Sequence, residues 1–148
     1  MKLLKLSIQL HSVAGVKDEN QDAFAVKTTK GIELETKGHV AVIADGVSSA
    51  NCAAQASQMS VCHFIEEYLA TPNSWSASKS ASKVISALNS WLYSRQQVSS
   101  ANLREQQWYS TFSALVLKGT EAKIFHIGDC QIVKINNDGY QILTKAHS

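Results

Sequence analysis

The run Val40-Ala41-Val42-Ile43-Ala44, closed by Asp45-Gly46, constrains this chain more than any other segment. Five consecutive apolar residues do not alternate between core and solvent, so the run reads as a buried strand. A strand ending in Asp-Gly leaves a carboxylate at the rim of a sheet, and the glycine lets backbone or ligand approach closely. Two further acidic residues hold similar positions: Asp22 before Ala23-Phe24-Ala25-Val26, and Asp129 after Ile127-Gly128. Carboxylates delivered to strand ends from three separated segments suggest a hard-cation site, and so chemistry on phosphate. Each alone has a plainer explanation. Asp-Gly is a common turn dipeptide, Asp22 could simply face solvent, and Gly128-Asp129 falls where a hairpin turn is expected.

The 148 residues suffice for one domain with a real core, taken here as 1–148. A formal charge of +2 and no basic run argue against nucleic acid or anionic membrane as partners. Cys52, Cys62 and Cys130 form no C-x-x-C pair, and Met1–Ile8 alternates instead of forming a secretion-signal core. No apolar run is long enough to span a bilayer. The expected location is the cytoplasm, with reduced thiols.

Periodicity lays out an α+β domain. Leu4–Leu10 alternates with period two and reads as a first strand, followed by a loop over His11–Glu19. Ala23–Thr29 is the next strand, Lys30-Gly31 a turn, and Val40–Ala44 the buried strand. Ala53–Leu69 reads as a helix whose face carries Ala54, Gln58, Val61, Ile65 and Leu69. Pro72 separates it from a second amphipathic helix over Ser76–Gln97, so two antiparallel helices should cover one sheet face. Val98–Gln107 reads as a polar loop. Ser113–Leu117, Ala122–Ile127 and Gln131–Ile135 then form a meander, with Asn137-Asp138-Gly139 turning into Tyr140–Leu143.

Four segments stand together in the order of a known family: Lys17 to Phe24, Val40 to Val47, Ser110 to Leu115, and Phe125 to Ile132. They carry Lys17, Asp22, Asp45-Gly46, Thr111 and Gly128-Asp129, and the chain resembles the metal-dependent serine/threonine protein phosphatases of type 2C, or PPM. The variant Ser48-Ser49-Ala50, with Trp75 and Trp91 in the helical region, resembles the bacterial subgroup often joined to a protein kinase domain. The resemblance implies two antiparallel sheets in a sandwich flanked by helices, and hydrolysis of phosphoserine or phosphothreonine in protein substrates. It implies two Mg²⁺ or Mn²⁺ ions, with a third in some members. Asp45 would bridge the metals, the Gly46 carbonyl and Asp22 would complete their contacts, and Asp129 would serve the third. Hard oxygen donors suit these ions better than zinc.

The chain also departs from the family pattern. Lys17 stands where arginine is frequent, which keeps the charge but loses the bidentate grip on phosphate. Cys130 replaces the serine of Gly-Asp-Ser and reads as a small hydrophobe, since nothing near it in sequence would lower its pKa. Family members supply two more aspartates from a C-terminal half, so this chain reads as an N-terminal portion whose incomplete ligand set binds metal weakly. The five histidines show no metal-ligand spacing, and the tryptophans read as packing anchors. Two rivals follow: a non-catalytic regulatory or partner-binding domain of the same fold, and self-association through open sheet edges.

Overall fold

A computed structural model describes residues 5–98 and 107–147. In β2 (His39–Asp45), Val40, Val42 and Ala44 are buried on one face, while Ile43 on the other face is exposed. The apolar run is therefore a central strand covered on one side only. β1 (Asp22–Lys27) pairs with it antiparallel on one edge, and β3 (Phe112–Lys118) on the other. β4 (Glu121–Ile127) extends the sheet to the order β1-β2-β3-β4, all antiparallel. The α+β class with antiparallel sheets holds.

Two long helices cover the buried face. α2 (Ala53–Ala70) lies against β1 and β2, and α3 (Ala77–Val98) packs on α2. The contact face of α2 is rotated from the predicted one: Ala53, Ala56, Ser57, Ser60, Val61, Phe64 and Tyr68 are buried. Small residues let the helix approach the sheet, which the apolar count alone undervalued. Phe64 then meets Phe112 edge to face at 4.9 Å, joining helix and sheet in one core. Trp108 sits in a smaller cluster with Cys52 and Ala56, against which Trp91 packs.

Three expectations change. Residues 5–10 are not a strand: period-two alternation requires a partner ladder, and the described part of that segment pairs with nothing, leaving Ile8 and Leu10 exposed. The turn at Lys30-Gly31 opens a helix, α1 (Gly31–Lys37), whose end is closed by Gly38 donating to the carbonyls of Glu33 and Leu34. The meander stops at β4, because among the described residues β5 (Val133–Asn136) pairs only with β6 (Gly139–Ile142), in a separate ribbon exposed along its length. Of the predicted loop at Val98–Gln107, residues 99–106 lie outside the described residues.

Lys37 is the unexpected core residue, only 1% exposed. Its ammonium donates to the Thr71 carbonyl and hydroxyl, both at 2.6 Å, and to the Pro72 carbonyl at 3.2 Å. It thereby satisfies carbonyls just past the C-terminus of α2, where the helix dipole favours a cation. Burial lowers its pKa, with the neighbouring charge of Lys118 adding to the effect.

Candidate metal centre

Register places the two leading carboxylates. Asp22 begins β1 and Asp45 ends β2, and the antiparallel ladder sets them directly opposite each other. Side chains at such positions stand about 5 Å apart at Cβ, and like charges there oppose the pairing. The Asp45 pKa is raised, first by burial, then by hydrogen bonding to Asp22 and by its charge. Lys17 acts in the opposite direction, and the charge of Asp129 adds to the rise. Four residues predicted for the site therefore share one electrostatic neighbourhood.

The backbone around them is held from three sides. Thr111 clamps Asp45: its N–H donates to the Asp45 carbonyl at 2.8 Å, and its hydroxyl accepts the Asp45 N–H at 2.9 Å. The Asp22 N–H donates to the Asn20 side chain, which is anchored by its own donation to Ser12 Oγ at 2.8 Å. The Gly46 N–H donates to the Gln21 carbonyl at 2.9 Å. Gly46 is buried against the first turn of α2, where a Cβ would run into the Ala53 carbonyl. A glycine is thus required here for close approach, as the Asp-Gly pair suggested.

Gly128 adopts φ +104° beneath Thr111, whose side-chain carbons would lie 2.7–2.8 Å from any Cβ at that position. This turn carries Asp129 and brings Cys130 Sγ within 3.0 Å of Thr111 Oγ1. Burial raises the Cys130 pKa; the Thr111 contact lowers it, and the charges of Asp129, Asp45 and Asp22 raise it again. A protonated thiol beside three carboxylates is no nucleophile, in keeping with the sequence reading. Further along, Ser113 Oγ lies 2.6 Å from His126 Nδ1, and His126 Nε2 lies 2.9 Å from the Lys145 carbonyl, so His126 is a packed residue.

A divalent cation fits the chemistry of this donor set. Asp45 Oδ1 is buried and has no hydrogen-bond partner among the described residues, opposite a second carboxylate. A buried acceptor left this way is costly unless a cation or proton satisfies it. Among the described residues no three His, Cys, Asp or Glu side chains converge into a ready-made metal cluster. Sequence reading missed Lys37 and Ser57, both buried polar residues. Lysine and serine at those positions give no signal without knowledge of what faces them.

Comparison with known proteins bears on these observations. Residues 11–148 match the family described as protein phosphatase 2C. Sequence comparison with curated proteins finds no match. Among solved structures, a bacterial serine phosphatase superposes with a TM-score of 0.73 at 19% identity, covering 90% of this chain and 52% of that one. The serine/threonine phosphatase Stp1 from Staphylococcus aureus gives 0.70 at 18% identity, covering 99% and 57%. The Mycobacterium tuberculosis serine/threonine phosphatase PstP/Ppp gives 0.66 at 17%, covering 88% and 50%. The chain thus spans about half the length of each.

Proposed function

The chain belongs to the protein phosphatase 2C family, and from that premise we propose that it is the N-terminal portion of a metal-dependent phosphatase acting on phosphoserine or phosphothreonine in proteins. The observation that carries this reading is the facing pair Asp22 and Asp45, with one Asp45 oxygen buried and without a hydrogen-bond partner among the described residues. Asp45, Asp22 and the Gly46 carbonyl would hold Mg²⁺ or Mn²⁺, and Asp129 would serve an additional ion. When bound, such ions activate water as a nucleophile and neutralise charge at phosphorus.

The chain's own residues do the rest. Lys17 is exposed in the loop before β1 and close enough to act electrostatically on Asp45, so its ammonium would meet a phosphate oxygen as a point charge. Thr111 fixes the Asp45 backbone on the β3 side. The half-exposed face of the sheet, which carries Phe24, Ile43 and Leu115, would be covered by a second sheet from the remainder of the domain. Among the described residues no helix is long and apolar enough to cross a membrane. The protein substrates of this reading are cytoplasmic. A protein kinase domain in the same full-length chain would place kinase and phosphatase together. Self-association through the open sheet edge at β1 is a further outcome that light scattering would detect.

Lysine in place of arginine, and the absence of a third converging ligand among the described residues, favour the second reading, a partner-binding domain without catalysis. One assay separates the two. The complete reading frame containing this chain should hydrolyse a phosphothreonine peptide with Mn²⁺, and Asp45→Asn should lower the rate by about two orders of magnitude or more. Equal rates for both proteins would refute the catalytic reading.

A further inference from the structure

Ser57 and Ser60 are both buried in the middle of α2, yet their hydroxyls behave differently. Ser60 Oγ donates to the Ala56 carbonyl at 2.7 Å, the usual way a helical serine satisfies itself. Ser57 Oγ makes its short bond outside the helix, to the Gln21 carbonyl at 2.6 Å, with the Ala54 carbonyl farther away at 3.0 Å. A hydroxyl has one proton, so the 2.6 Å contact takes it. Alanine would suit the helix better by propensity and would bury no polar group.

The bonded carbonyl is the one that matters for the site. Gln21 precedes Asp22, and the same oxygen also accepts the N–H of Gly46, which follows Asp45. One acceptor therefore ties together the two chain segments that carry the opposed carboxylates. β1 is an edge strand, so no further strand among the described residues restrains its Asp22 end against repulsion from Asp45. Ala53 and Ser57 lie one helical turn apart, the first packed against Gly46 and the second bonded before Asp22.

We propose that Ser57 is a positioning residue: its hydroxyl fixes the end of β1 so that Asp22 stays within reach of a cation shared with Asp45. The functional consequence rests on the metal-centre reading above; the clamp itself does not. Mn²⁺ binding, followed by electron paramagnetic resonance, and amide hydrogen exchange at Gly46 in metal-free protein test the two parts separately. Ser57→Ala should weaken Mn²⁺ binding by roughly threefold to tenfold, the factor expected for one lost hydrogen bond. The Gly46 amide should exchange about tenfold faster, while amides in β3 stay unchanged. Ser57→Thr, which keeps the hydroxyl, should restore both to within about twofold, a rescue that a purely packing role would not give.

Unchanged Mn²⁺ binding together with unchanged Gly46 exchange in Ser57→Ala would overturn the proposal. Where wild type binds no Mn²⁺, faster Gly46 exchange upholds the clamp and refutes the metal reading, and unchanged exchange refutes both. Should Ser57→Ala fail to fold, Ser57→Cys keeps the shape with a weaker donor, and the same comparisons decide.

Discussion

Replacing Gly46 by alanine tests whether the Asp45-Gly46 corner is built on close approach or on turn conformation. Gly46 is not among the glycines with positive φ, so a Cβ there meets no intrinsic backbone penalty. It meets α2 instead: the added methyl would collide with the Ala53 carbonyl and lie 2.7 Å from Ala53 Cβ. Carbon atoms prefer about 3.5–4.0 Å, so strand and helix must part by roughly 1 Å. The obstructing atoms include backbone, which does not swing aside, so the cost should reach about 3 kcal/mol, the upper end for overpacking. In a domain of this size that lowers Tm by about 6–12 °C. Calorimetry should be run beside Gly119→Ala, where φ is +61° and nothing lies within 4 Å. That control carries only the left-handed penalty of about 1–2 kcal/mol. A Gly46→Ala protein as stable as wild type, or more stable than Gly119→Ala, would refute the close-approach argument.

Lys37→Met should destabilise the fold by about 3 kcal/mol, because it takes the ammonium donor from the Thr71 carbonyl and hydroxyl, while the Pro72 carbonyl keeps the Trp75 N–H; urea unfolding measures it, and no change would show that the buried ammonium contributes nothing. Tyr68 is fully buried, and burial pushes its hydroxyl pKa from 10.0 up to about 12. The folded state therefore retains a proton that the unfolded chain loses, and its share of stability, about 3 kcal/mol, is present below pH 10 and disappears as pH rises toward 12. Relief of the buried Lys37 charge acts in the opposite sense over a neighbouring range, so the comparison is with Tyr68→Phe. That variant should lose about 1 kcal/mol at pH 7 with the 2.9 Å bond to the Lys37 carbonyl, and should show a shallower alkaline loss in urea titrations.

How much of this was legible in sequence depended on what each residue faced. The strands and long helices announced themselves through runs such as Val40–Ala44 and spacings such as Ala81, Val84 and Leu88. The opposition of Asp22 to Asp45 was not legible, because register follows from a ladder that only the folded sheet supplies. α1 escaped notice because seven residues with two aliphatic side chains carry almost no period. Its Glu33, Lys37 and Gly38 were nevertheless helix-end signals in plain view. Leu4–Leu10 misled for the opposite reason, a clean alternation without a partner strand in the described chain. Ser57 carried no signal in the sequence, because its value lies in the carbonyl it reaches on β1's approach.

The facing carboxylates of Asp22 and Asp45 are arranged for a cation. Thermal melting of wild type and Asp45→Asn at increasing Mn²⁺ tests this claim most directly. Wild type should gain stability with the logarithm of metal concentration, reaching about 2.7 kcal/mol at 100 times Kd. Asp45→Asn should gain nothing, and without metal should melt about 2–4 °C above wild type, since one of two opposed charges is gone and up to about 1 kcal/mol is relieved. Equal gains in the two proteins, or a metal-free variant no more stable than wild type, would contradict the claim.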